Sequence, residues 1–149
     1  MAIRNILKND DPMLRKVCRP VTEFNERLWQ LLDDMADTMH EANGVGLAGP
    51  QVGILRRVFV MDLGEGVIEA INPEIISTRG KQTGQEGCLS FPNQWDNVTR
   101  PKRVKFKAQD RFGKWYIMTG DDLMARCICH ETDHLDGIVF LDRVGEGEE

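Results

Sequence analysis

Cys129-His130-Glu131-Thr132-Asp133-His134-Leu135-Asp136-Gly137 sets the terms for the rest of the chain. His130 and His134 are four residues apart. On an α-helix that spacing is one turn and about 40° of rotation, so both imidazoles leave the same face. Two neutral imidazoles so placed are a ligand pair for zinc or iron. Glu131 stands roughly 100° around the helix from His130. It is poorly aimed to coordinate an ion but well placed to handle protons on a water that the ion holds. His-Glu-x-x-His carries this chemistry only on a helix, and the flanking residues predict one. Asp121 and Asp122 offer N-terminal capping and suit the positive end of the dipole. Leu123, Cys127, Ile128 and Leu135 fit a mostly buried segment, and Gly137 supplies the stop. The competing reading has two histidines bonded to carbonyls on a buried face. It is the better reading for a lone histidine and the poorer one for this motif on a capped helix.

A catalytic site needs a third protein ligand if one position is to stay open for water. Six residues after His134, where a longer protease pattern places another histidine, stands Phe140. The only glutamates further on are Glu146, Glu148 and Glu149, in a glycine-rich tail. The ligand therefore comes from upstream, where the chain offers His40, Cys18, Cys88, Cys127 and Cys129. Cys129 points about 100° away from His130, and Cys127, one turn before His130, lines a pocket more easily than it closes a coordination sphere. Cys88 lies in Gln85-Glu86-Gly87-Cys88-Leu89-Ser90-Phe91-Pro92. There Gly87 lets another backbone come close, and Leu89-Ser90-Phe91 reads as a short strand. Spacing leaves Cys88, Cys18 and His40 open.

The 149 residues are enough for one domain with a real core. A net charge of −5 argues against generic nucleic-acid binding. No apolar run approaches a membrane span, and the N-terminus lacks a signal-peptide pattern. Four irregularly spaced cysteines then indicate reduced thiols in a cytosol. Residues 1–22 read as an extended arm with a turn or short helix at Asp11-Pro12. Leu28, Leu31, Leu32, Met35 and Met39 predict an amphipathic helix from Asn25 to Glu41, ended by Asn43-Gly44, with Trp29 and His40 as packing residues. Gly44 to Gly53 is too glycine-rich for regular structure. Strands are expected at Ile54–Asp62, Val67–Asn72, Glu74–Thr78 (divided from the last by Pro73), Arg103–Ala108 and Trp115–Thr119. Arg100, Lys102, Arg103, Lys105 and Lys107 form a basic stripe. It reads as the solvated face of a strand protected from edge pairing, with ribosomal RNA contact the sharper alternative. Strands first and a buried helix last give an α+β domain.

Three segments in order, Gly44-Val45-Gly46-Leu47-Ala48-Gly49-Pro50-Gln51, Glu86-Gly87-Cys88-Leu89-Ser90 and His130-Glu131-Thr132-Asp133-His134, resemble the motifs of the peptide deformylase family. The resemblance extends to Asp11-Pro12-Leu14-Arg15 and Ile71-Asn72-Pro73 and so covers nearly the whole chain. It implies a peptide deformylase-like fold with mixed or antiparallel strands around a central helix carrying the histidines. It nominates Cys88, His130 and His134 as ligands of one divalent ion, Fe²⁺ in the cell, with Zn²⁺, Ni²⁺ or Co²⁺ able to substitute. A hydroxide on that ion would attack the formyl carbon of an N-formylmethionyl nascent peptide and release formate, with Glu131 as general base and acid. The Gln51 amide and the Leu89 backbone N–H would hold the oxyanion. Gly44, Val45, Gly46, Glu86, Gly87, Leu123, Arg126 and Cys127 would contact substrate.

Two departures stand out. The family usually shows two alanines where this chain has Ala48-Gly49, which loosens the loop. Arg126 replaces an apolar residue of the methionine pocket. Either its stem packs while the guanidinium reaches water, or it alters the side-chain preference. The short tail after His134 resembles short forms such as those carried by bacteriophages, without a C-terminal ribosome-docking helix. The expected protein is thus a cytoplasmic monomer with weak ribosome contact and no DNA or membrane partner. A His-Glu-x-x-His zinc endopeptidase and a non-catalytic peptide-binding module are the competing functions.

Overall fold

The helical spacing of Leu28, Leu31, Leu32, Met35 and Met39 is the buried face of α1, Glu26–Glu41, in the computed structural model, which describes residues 2–146. The Asn25 side chain caps its start, accepting the Leu28 N–H at 3.3 Å. After Ala42, the C-cap, Asn43 turns the chain out at φ 57°, a left-handed conformation that asparagine tolerates. Nearly buried Asp34 ties the N-terminal arm to this helix, accepting from Arg4 Nε at 3.0 Å and from the Ala2 N–H at 3.1 Å. Burial alone would raise the Asp34 carboxyl. The hydrogen bonds from Gln30 and Arg4 outweigh it and hold the carboxyl below its ordinary value.

Five strands make one antiparallel sheet in the order β1-β2-β3-β6-β7. They are β1 (Gly46–Ala48), β2 (Val58–Met61), β3 (Ile68–Arg79), β6 (Arg103–Gln109) and β7 (Trp115–Asp121). A separate hairpin joins β4 (Gln82–Cys88) to β5 (Phe91–Arg100). All four residues of β2 are buried because the sheet is covered on both faces. Val58 and Val60 pack with Leu28, Leu32 and Met35 of α1. Phe59 and Met61 pack with Ala125, Ile128 and Leu135 of α2, Leu123–Leu135. In β6, Val104, Phe106 and Ala108 alternate inward as the sequence predicts. α2 is thus clamped between the sheet and the β4–β5 hairpin, which is what brings its histidines to Cys88. No helix among the described residues is long and apolar enough to cross a membrane.

The structure departs from the sequence reading at several points. Gly44–Gly53 is regular in part: β1 pairs with β2, and Gly49–Val52 forms a 3₁₀ turn. Ile54 closes that turn, its N–H reaching Gly49 O at 3.0 Å, so the following strand begins only at Val58. Pro73 does not divide two strands. β3 runs through it because its missing N–H falls at a register shift between Ile71 and Glu74, beside Asn72 at φ 52°. Leu89 and Ser90 are the turn of the β4–β5 hairpin rather than strand residues. Asp122 stands at the N-cap of α2 with φ 54° and no capping bond, and Asp121 instead pairs with Arg103 at 2.7 Å.

The basic stripe is a solvated face at Lys102, Arg103, Lys105 and Lys107, but not at Arg100. Arg100 turns inward and is 4% exposed, while Lys102, Arg103 and Lys107 face Asp122, Asp121 and Glu74. β6 is an interior strand, so protection from edge pairing is not its role. His40 is no packing residue: it is half exposed, with Nε2 2.8 Å from Asp62 Oδ2. Glu148 and Glu149 lie outside the described residues.

Candidate active site

Helical spacing puts His130 and His134 on the face of α2 that meets the end of β4. There Cys88 Sγ lies 3.3 Å from His134 Nε2. Ligand atoms of Cys88, His130 and His134 all fall within 4.8 Å of one another, and this is the one such cluster of metal-binding side chains among the described residues. The other sequence candidates are elsewhere. Cys18 and Cys129 are in the core, His40 is at the surface, and Cys127 Sγ lies 3.8 Å from Val45 O.

The cluster suits a divalent cation. One thiol and two imidazoles form a donor set for zinc or ferrous iron. His130 Nδ1–H donates to Glu86 Oε2 at 2.6 Å, which fixes the ring and leaves Nε2 to coordinate. His134 Nδ1 and Glu131 Oε1 are buried without a hydrogen-bond partner among the described residues. Burial lifts the Glu131 carboxyl to about 7, against the opposing pull of His130, which gives it the capacity to take and return a proton near neutrality. Burial and the neighbouring His130 hold His134 well below its ordinary value, so its ring is neutral and free to coordinate.

Gln51 is buried beneath the cluster. Its side-chain carbonyl accepts the Ala48 N–H at 3.0 Å, and its Nε2 donates to Ser90 Oγ at 3.0 Å and to Cys88 Sγ at 3.4 Å. Leu89 sits in the hairpin turn directly after Cys88, its side chain against Gly44. A cleft of about 380 Å³ opens over His130 and Glu131. Gly44, Val45 and Gly46 form one side, Gly87 and Leu89 another, and Leu123 and Cys127 of α2 a third. A second cleft, about 450 Å³, lies by Arg4, Asn25 and Arg56 and contains none of these groups.

Glu86 and Arg126 also line the cleft, but the charged group of each is engaged by the protein itself. The Glu86 carboxylate is 5% exposed and already accepts from His130, Arg100 and Arg126. Burial would raise it, but the bonds from His130 and Arg100 win and keep it ionised, well below the usual carboxylate range. The Arg126 guanidinium is turned mostly inward: Nη1 donates to Glu86 Oε1 at 2.8 Å and to Val98 O at 3.0 Å.

Sequence reasoning missed Arg100, Asp133 and Trp95. Arg100 bridges Glu86 and Asp133, joining the hairpin to α2. Trp95 lies across Gly87 at the cleft edge, where any Cβ on Gly87 would strike its ring. The signal available was the segment after Cys88: a hairpin there returns residues 95–100 alongside Glu86.

Gly46 gives a direct steric test. A Cβ there would lie 2.5 Å from Glu131 Oε2 and 2.9 Å from Cys127 Sγ, both on the buried face of α2. Gly46→Ala is expected to displace Glu131 and lower kcat at least tenfold while the circular-dichroism spectrum stays native, a loss of roughly 1.4 kcal/mol in transition-state stabilisation.

The sequence model of polypeptide deformylase matches residues 3–149. A peptide deformylase of Caldicellulosiruptor bescii is 56% identical over 144 residues, covering 97% of this chain and 87% of the relative. Peptide deformylase 1 of Clostridium acetobutylicum is 52% identical over 148 residues and is spanned to 99%. The crystal structure of peptide deformylase from Thermotoga maritima superposes with a TM-score of 0.95 at 42% identity, covering 97% of this chain and 99% of that one. The chain belongs to the polypeptide deformylase family, metal-dependent enzymes that remove the N-formyl group from nascent peptides.

Proposed function

We propose that residues 1–149 act as a single catalytic domain that hydrolyses the formamide of N-formylmethionyl nascent peptides to formate and a free amine. The observation that carries this reading is the convergence of Cys88, His130 and His134 with Glu131 beside them. Cys88, His130 and His134 would hold the cation, which we take to be Fe²⁺ in the cell. Such an ion supplies Lewis-acid polarisation and lowers the pKa of water to about 7. The protein's own groups do the rest. Glu131 takes a proton from the attacking water and delivers one to the leaving nitrogen. The Leu89 N–H and the Gln51 amide, which turns to the substrate the N–H it otherwise gives to Cys88 Sγ, receive the charge that develops on the formyl oxygen; a donor in that role is typically worth about 2.7–4 kcal/mol. Val45, Leu123 and Cys127, with Gly44 and Gly46, wall an apolar slot suited to the methionine side chain. The enzyme works as a cytoplasmic monomer with only transient ribosome contact.

The test is formate release from formyl-Met-Ala-Ser, run beside a casein digest. Chelation should abolish formate release, anaerobic Fe²⁺ should restore it more fully than Zn²⁺, and casein should remain intact. Casein cleavage, or formate release that survives complete metal removal, would overturn the reading.

A further inference from the structure

Glu86 carries more positive charge than the holding of one histidine requires. Arg100 meets it as a fork, Nε at 3.0 Å from Oε1 and Nη2 at 2.6 Å from Oε2. His130 Nδ1 takes a further site on Oε2 at 2.6 Å. Arg126 Nη1 takes a further site on Oε1 at 2.8 Å, and the same nitrogen reaches Val98 O in β5 at 3.0 Å. A carboxylate offers about four lone-pair sites, so these donors fill it. An arginine selecting a substrate side chain would turn its guanidinium into the cleft. This one lines the cleft but lies only 8% exposed, with Nη1 directed at Glu86 and Val98 of the hairpin beneath.

We infer that Arg126 is a positioning residue of the metal centre. By holding Glu86 Oε1 from a second side, beside the Arg100 fork, it stiffens the carboxylate that orients His130 and so adds to the retention of the cation. This rests on the metal centre proposed above. Without Arg126, the carboxylate and the His130 attached to it are held by the Arg100 fork alone, and Oε1 loses its second donor. The buried cluster also loses one of the two arginines that directly balance Glu86. Partners behind a metal-bound histidine typically contribute 10–100-fold in metal affinity or activity. Arg126 stands one contact further out, so the lower end of that range is expected.

The experiment uses cobalt-loaded wild type, Arg126→Met (which keeps the stem and removes both bonds) and Arg126→Lys (which keeps the charge). Visible absorption of the cobalt ion and the rate of cobalt release to excess chelator are measured well below Tm. The expected result is a shifted cobalt spectrum and release faster by about tenfold in Arg126→Met, with partial recovery in Arg126→Lys. The ratio of kcat/KM on formyl-Met and formyl-Glu peptides should stay unchanged. Wild-type spectrum and release rate in Arg126→Met overturn the inference alone. A wild-type protein that binds no cobalt overturns the metal centre and the inference with it. Should Arg126→Met fail to fold, Arg126→Lys carries the test: release above the wild-type rate supports the inference, and an unchanged rate overturns it.

Discussion

Glu131→Gln should leave one metal ion per chain and lower kcat for formyl-Met-Ala-Ser by about 10²–10⁴-fold, the range for loss of a positioned general base. Glutamine keeps the shape of the side chain but can neither accept a proton from water nor return one to the amine. Glu131 is buried beside His130, with one carboxylate oxygen 3.9 Å from Nε2 and the other without a hydrogen-bond partner among the described residues. The substitution therefore removes proton transfer and little else. Because that step belongs to the transition state, kcat and kcat/KM should fall together with KM little changed. Formate assays with metal analysis on the same samples check this. Equal loss of metal and activity would make Glu131 part of the ion's binding rather than of the chemistry.

Arg100→Met should be the most destabilising single change in the site. Arg100 is 4% exposed and donates to Glu86 and Asp133 together. Its loss leaves Glu86 to Arg126 and His130 and Asp133 to Arg143. Breaking a buried pair from one side costs about 3–5 kcal/mol, because the remaining charge stays out of water. At about 2–4 °C per kcal/mol for a chain of this size, Tm should fall by roughly 6–20 °C. Arg103→Met, at an exposed pair with Asp121, should barely move it. Differential scanning of the metal-loaded proteins separates the two. A fall in Arg100→Met no larger than in Arg103→Met would mean that the buried network does not join the hairpin to α2.

Elements governed by a local apolar period were legible before any coordinates. The α1 stripe, the alternation in β6 and the two histidines of α2 each depend on neighbours within a turn or a pleat. The β4–β5 hairpin was not, because Gln82–Cys88 and Phe91–Arg100 show no such period. Their ladder is backbone hydrogen bonding, anchored by Arg100 and Arg126 to partners far along the chain. β3 was cut at Pro73 for a related reason: whether a missing N–H matters depends on whether the partner strand needs it there.

His130, Glu131 and His134 share a face because a helix repeats every 3.6 residues, and that much is written into their order. That Cys88 joins them, while Cys18 and His40 do not, depends on a hairpin folding over α2, a long-range event with no local signature. The direction taken by Arg126 is of the same kind. A long flexible stem can present its charge to a cleft or to a buried carboxylate, and the choice belongs to the partner that waits at the far end. Here that partner is Glu86, 40 residues away in sequence, already ionised and buried, where an unpaired charge would be costly.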